Sequence, residues 1–211
     1  MIRKIHCLAT LLVLLILTAC GPRGIQYTAT LDDLGCSATR SVAVAVLDER
    51  PYVLNKEKEP SYVGTMRGGF GNPFGTQTES GAPLAEDMRT TLVDSLRAHG
   101  FSVKPLVPSG TDSLDAVLDR FAASDAERLI VLELKEWHSD YSPRSFGPER
   151  SELFVNADLA VFDRQRNAIA RNHLQEELAL PSGWPEKTVP EVYRKKIRQL
   201  IGDPRICRAL R

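Results

Sequence analysis

The side chains in this sequence that could do chemistry are few, and their spacing limits what that chemistry is. Asp48-Glu49-Arg50 sets two carboxylates beside a guanidinium just after an apolar run. Such a trio serves as an ion pair that stops a strand or, with a histidine nearby, as an acid–base pair. His138 ends one strand-like segment and His173 lies in another. If those strands pair, the two imidazoles and Asp140 could meet as a metal or acid–base site. If they do not, both are isolated surface histidines. His99 stands at the end of a helical pattern, where a cation is mildly favoured. No Gly-x-Ser-x-Gly elbow, no His-Glu-x-x-His and no paired cysteine and histidine occur after residue 20. The expectation is a chain with no catalytic residue, no metal and no cofactor. The rival reading is an envelope hydrolase or metal-dependent enzyme using Asp48, Glu49, His138 or His173.

The stretch Arg67–Gly75, RGGFGNPFG, is the second place to look. No Gly-Lys-Ser/Thr follows it, and Gly69, Gly71 and Gly75 miss the dinucleotide spacing by one residue. No helix starts directly after the glycines to offer its N-terminus to a phosphate. Two readings remain. Arg67, Phe70 and Phe74 form a partner-binding loop, or the segment is a structured turn whose phenylalanines cover a sheet edge.

Four cysteines are present. Cys7 lies in a leader in which Arg3 and Lys4 precede an apolar run from Leu8 to Leu17, a run too short to span a bilayer comfortably. Leu17-Thr18-Ala19-Cys20 resembles the bacterial lipobox, which implies cleavage after residue 19 and acylation of Cys20, a palmitate-type modification. Gly21 follows where an inner-membrane lipoprotein would carry aspartate. The expected location is therefore the periplasmic face of the outer membrane, with several acyl chains as a stable anchor. Cys36 and Cys207 remain. In an oxidising periplasm an even pair reads as a disulfide; two free thiols are the alternative. Acids and bases number 27 each, and the leader removes two bases, so the mature chain is slightly acidic and its charges are well mixed. Nucleic acid is not an expected partner.

The organisation follows from periodicity. Residues 1–19 are the signal peptide, 20–40 a lipidated tether and 41–211 one α/β domain. Ser41–Leu47 reads as a buried strand, and 51–82 as a long Gly/Pro-rich loop with a short strand near Ser61–Met66. Pro83 opens a helix with Leu84, Met88, Leu92 and Leu96 on one stripe, which Gly100 stops. Ser113 or Asp112 caps a second helix. Leu129–Leu132 is a central strand, and 152–180 a hairpin. Thr188 and Glu191 match a capping box for the last helix, whose Arg194, Lys195, Lys196 and Arg198 read as a solvated or headgroup-facing basic side. The fold expected is α/β (α+β): a mixed sheet of about five strands with three helices packed on one face.

The lipobox, a strand ending in Asp48-Glu49-Arg50, the Val63-Gly64 pair, the helix closed by Gly100 and the late hairpin together resemble the YajG-like lipoproteins of Gram-negative bacteria. That resemblance implies a compact α/β domain hung from the membrane, with no catalytic residues to carry over. The function expected is a non-enzymatic binding or envelope-support module, held to the membrane through Cys20 and meeting an envelope protein partner. A small-ligand or lipid carrier, with an apolar cavity under residues 64–82, is the third reading.

Overall fold

The computed structural model describes residues 24–36, 39–68, 70–109, 112–143 and 148–211. The leader, Cys20 and Gly69 lie outside them. The described elements are β1 (Ser41–Asp48), α1 (Pro51–Leu54), β2 (Tyr62–Arg67), β3 (Pro73–Gln77), α2 (Leu84–Ala98), β4 (Ser102–Pro105), α3 (Leu114–Ala122), β5 (Arg128–Ser142), β6 (Arg150–Phe162), β7 (Ala168–Ala179), α4 (Pro185–Ile201) and α5 (Pro204–Ala209). The class is α/β with a mixed sheet, as the periodicity predicts, with seven strands in one sheet rather than about five.

β5 organises that sheet. It pairs antiparallel with β6 along its length, and β6 pairs with β7. On its other edge β5 takes two partners in turn: β1 runs parallel to Arg128–Leu134, and β2 runs parallel to Ser139–Tyr141. β4 extends the sheet beyond β1, and β3 beyond β2. A bulge between Leu134 and Glu136 shifts the alternation, so Leu134 and Trp137 both reach the core.

The two faces of β1 explain the layering. Val42, Val44 and Val46 join the larger core with α2, α4 and the inner face of β6. Ala43, Ala45 and Leu47 join a smaller core under Val117, Leu118 and Phe121 of α3. The helices therefore cover both faces, not one. Alanines on the α3 side let that helix approach closely, and valines fill the thicker side. Each fully buried aliphatic side chain of this kind is worth roughly 1.5–3 kcal/mol.

Helix ends follow their residues. At the C-terminus of α2 the Phe101 N–H donates to Leu96 C=O (3.1 Å) and the Gly100 N–H to Arg97 C=O (2.9 Å), with Gly100 at φ +84°. This is a Schellman stop, and it needs the left-handed conformation that glycine adopts freely. Ser113 caps α3, accepting from the Ala116 N–H at 3.3 Å. The expected capping box at Thr188 does not form. α4 begins one turn earlier, at Pro185, whose fixed φ suits a first helical position, and Pro190 lies inside the helix. Nor does the basic side stay whole. Lys196 turns inward to Glu176 and is buried, while Arg194, Lys195 and Arg198 are exposed.

Two further expectations are corrected. Residues 51–82 are not one long loop: they hold α1 and the β2–β3 hairpin. Gly64 is needed there, because a Cβ would lie 2.2 Å from the Ser139 carbonyl oxygen of β5. The supposed tether is also largely core. Ile25 bridges Thr78, and Ile25, Tyr27, Leu31 and Leu34 are fully buried. The Ala29 and Leu31 N–H groups donate to Thr91 Oγ1 and Ser95 Oγ of α2 (both 2.9 Å), and Thr91 Oγ1 donates to Tyr27 C=O. The segment ends at Cys36, which α5 meets through Cys207 in a disulfide with Cα atoms 4.9 Å apart.

Candidate functional site: a cleft at the strand ends and an aromatic turn

Asp48 and Arg50 consume each other's polar groups. Arg50 is fully buried, and its Nε and Nη2 donate to the two oxygens of Asp48, each at 2.7 Å. Nη1 also donates to Tyr62 C=O (2.6 Å) and Trp137 C=O (3.4 Å), and Nη2 to Pro60 C=O (2.8 Å). The reason lies in the sheet. Between the end of β1 and the start of β2, Lys135–His138 of β5 have no strand on that edge. The guanidinium fills this notch: with the Tyr52 hydroxyl (3.3 Å) it serves the Trp137 carbonyl of β5, and it ties that edge to the Pro60 and Tyr62 carbonyls. Burial works against the charge on Arg50, but its hydrogen bonds to the Asp48 carboxylate, and that negative charge, outweigh it and raise the pKa. Asp48 is thus committed as a counter-ion. Glu49 donates its N–H to Leu134 C=O at 2.8 Å. Glu133 has its carboxyl pushed up by burial, with the charge of Glu49 adding.

The histidines do not converge. His138 sits opposite Phe154 on β6 and stacks on its ring at 4.8 Å. His173 sits opposite Asp158 and its Nδ1 lies 2.7 Å from that carboxylate, which also takes Lys135. From Phe154 to Asp158 is about 13 Å along the strand, with β6 between the two rings. Burial would raise the Asp158 carboxyl, but Lys135 and His173 together hold it below the usual carboxylate range. Among the described residues no three His, Cys, Asp or Glu side chains are grouped to hold a metal ion.

A cavity of about 490 Å³ opens at the carboxyl end of β1. Val46–Glu49 form its floor, Val53, Leu54 and Pro60 one wall, Pro83, Ala85, Glu86 and Arg89 of the α2 end another, and Val107–Ser109 with Asp112 the third. The place is set by topology. The chain leaves β1 into α1, α2 packs on one face of β1, and the neighbouring β4 leads into α3 on the other face. A crevice forms where adjacent strands diverge in this way. Its outer wall is braced: Arg120 pairs with Asp112 and donates to Val107 C=O (3.0 Å), and Ser109 bonds Asp112. Those bonds from Ser109 lower the Asp112 pKa. Glu86 is 3.9 Å from Arg89. Leu54 and Val107 stand exposed at the rim. The size fits a small-molecule site, and the lining is mainly apolar. No residue of 64–82 lines it, so the cavity lies beside α1 rather than under the hairpin.

Arg67, Phe70 and Phe74 all lie on the β2–β3 hairpin: Arg67 pairs with Pro73 at its turn end, Phe74 with Met66, and Phe70 stands in the turn. Gly68 donates its N–H to Asn72 C=O and Gly71 its N–H to Gly68 C=O, both at 2.9 Å, so these amides serve the turn and not a phosphate. The Phe74 ring lies over Gly68, where a Cβ would come within 2.8 Å of it. Phe74 is half exposed, while Phe70 is 91% exposed. Gly68, Gly71 and Asn72 are thus held by hydrogen bonds, and Phe70 beside them presents an aromatic ring.

Sequence reasoning did not find the cleft. Its signals were the acidic strand end at Asp48 and the proline at the start of α2, which become neighbours only once α2 is docked on β1.

No family model and no curated relative matches the sequence. Solved structures do match. Protein XCC0632 from Xanthomonas campestris, described under the family model DUF330, is similar over 88% of this chain and 92% of its own, with TM-score 0.51 and 10% identity. Lipoprotein GNA1162 from Neisseria meningitidis is similar over 76% of this chain and 97% of its own, with TM-score 0.44 and 11% identity. The first likeness shows a shared fold.

Proposed function

We propose that this chain is a bacterial envelope lipoprotein, acylated at Cys20 in the outer membrane and facing the periplasm. There it works as a non-enzymatic binding module that takes an apolar group of another envelope component into the cleft at the end of β1. The cleft carries this reading: a braced, mainly apolar cavity of about 490 Å³ at a divergence of strands. The side chains that an enzyme reading would need support it by their occupation. Asp48 is bonded to Arg50, and His138 and His173 belong to separate contacts on the sheet.

Binding of an apolar fluorescent dye tests the reading. The wild-type protein is expected to bind it and enhance its emission. Ala85→Trp, which fills the cavity from the α2 wall, is expected to abolish the enhancement while the far-ultraviolet circular dichroism stays unchanged. Enhancement that Ala85→Trp leaves intact would remove the cleft as the binding site.

A further inference from the structure

Among the described strands the sheet ends at β3, β4 and β7. An edge strand carries unpaired N–H and C=O groups that invite a further strand, and folded proteins usually blunt it. β4 is short and carries Lys104 and Pro105. β3 opens on Pro73 and is met at its far end by Ile25, whose N–H donates to Gln77 C=O and whose C=O accepts from the Glu79 N–H, both at 2.9 Å. β7 is guarded in neither way. It runs for 12 residues, Ala168–Ala179, with no proline, glycine or lysine. Its one irregularity lies at the Ala168 end, and from Ala170 to Ala179 its pairing with β6 is regular.

The ladder shows which groups this edge offers. The Leu180 N–H donates to Ser151 C=O at 2.7 Å, in the register that pairs Ala179 with Glu152. In an antiparallel ladder every second residue bonds to the same neighbour. Leu178, Glu176, Leu174 and Asn172 therefore turn their backbone groups to β6. Ala179, Glu177, Gln175, His173 and Arg171 turn theirs to the open edge. The residues of this second set are all exposed, and their side chains lie on the face opposite Leu174, which is in the larger core. Among the described residues no backbone group of α4 or α5 bonds to theirs. The charges of the strand divide likewise. Glu176 pairs with Lys196, and His173 with Asp158. Arg171 and Glu177 have no ion pair among the described residues, and they stand symmetrically about Leu174.

We propose that β7 is a self-pairing edge: a second copy of this chain docks there, the two β7 strands running antiparallel about a two-fold axis at Leu174. Hydrogen bonding requires each edge-facing residue to meet another of the same set. A centre at Leu174 meets this condition. It sets Arg171 opposite Glu177 of the second copy and His173 opposite Gln175, and symmetry repeats each pair. Facing opposite charges favour the register. Centres at His173 or Gln175 keep the parity but set Arg171 opposite Gln175 or Ala179, without a carboxylate. Leu174 is also the midpoint of Ala168–Leu180, so its register gives the longest overlap. A single strand edge buries less than the roughly 800 Å² per partner of a standard interface, so the association is expected to depend on concentration. The seam leaves the clefts free, because β6 and β5 separate β7 from β1.

Cysteine cross-linking tests the register. The full chain is produced in cells as two copies with different affinity tags and oxidised with copper–phenanthroline. His173→Cys in one copy and Gln175→Cys in the other are expected to give a disulfide-linked species carrying both tags, because residues facing in a hydrogen-bonded pair have Cα atoms about 5.5 Å apart, within disulfide reach. Arg171→Cys with Glu177→Cys is expected to do the same. Arg171→Cys with His173→Cys, which the register holds apart, and each variant with the native chain are expected to give none. Arg171→Glu in both copies should weaken the link between positions 173 and 175 several-fold, and adding Glu177→Arg should restore it. Both positions are exposed, so the far-ultraviolet circular dichroism is expected to stay unchanged. No link at either facing pair, equal linking at facing and separated pairs, or a charge reversal that the second substitution does not rescue overturns the proposal. A product that joins His173→Cys to a different protein gives the edge to a foreign strand and overturns it as well.

Discussion

Asp48→Ala isolates the role assigned to Arg50. In the native protein the guanidinium has no exposure and the Asp48 side chain little, so water cannot replace the lost carboxylate. Arg50 would keep its carbonyl acceptors at Pro60 and Tyr62 but carry an uncompensated buried charge. Removing one partner of such a pair costs about 3–5 kcal/mol. For a domain of this size each kcal/mol moves the melting temperature by about 2–4 °C, so a drop of roughly 6–20 °C is expected. Asp48→Asn retains one acceptor and should fall between. Thermal unfolding followed by circular dichroism measures both, at low and high salt. Because the pair is buried, salt should change the difference little. A drop no larger than that of a surface substitution, or one that salt erases, would refute the account of a buried guanidinium that depends on Asp48.

Four other outcomes are expected. Cys20→Ser should leave the protein unprocessed or free of the membrane, read by fractionation and mass spectrometry. Cys36→Ser should lower the melting temperature without releasing the protein from membranes, since closing a separation of 171 residues is worth roughly 5 kcal/mol in the chain-entropy model. Gly64→Ala should destabilise, because its Cβ meets the Ser139 carbonyl oxygen at 2.2 Å; equal melting temperatures would contradict the close approach of β2 to β5. Asp158 and Asp87 should give opposite pH slopes. Lys135 and His173 depress Asp158, so its contribution is present above the unfolded carboxylate pKa and is lost as pH falls through the folded one. Burial raises Asp87 despite the hydroxyl of Ser80, so folding binds a proton there and stability is gained as pH falls through the raised value. Melting temperatures of Asp158→Asn and Asp87→Asn from neutral to acid pH check the two signs.

The sequence was most legible where one period runs unbroken. β1, α2, α3 and the β6–β7 hairpin were visible because Val42–Val46, Leu84–Leu96, Val117–Phe121 and Leu153–Val161 each keep a single spacing of buried residues. Residues 25–34 were not visible as core, because Ile25, Tyr27, Leu31 and Leu34 follow no period. Their backbone is satisfied by Thr91 and Ser95 of a distant helix rather than by neighbours in sequence. The start of α4 was misplaced because Thr188 and Glu191 imitate a cap, while Pro185 and the docking of Trp184 on Tyr141 set the actual start. The Cys36–Cys207 pairing followed from counting cysteines and naming a compartment. The cleft needed topology: only strand order brings Asp48, Ala85 and Val107 to one place. Phe70 was marked by its setting among glycines, but its exposure is a property of the hairpin.

The disulfide also defines how load would travel through the molecule. It joins the end of the N-terminal segment to α5, a few residues before Arg211. A pull applied at Gly24 can peel Ile25–Cys36 from α2 and release about 40 Å of chain. There the covalent bridge takes the tension and passes it to the C-terminal helix. Stretched between Gly24 and Arg211, the protein would break the Ile25 bridge to the end of β3, yield this short N-terminal segment and then stop, with the central strands and the cleft outside the line of force.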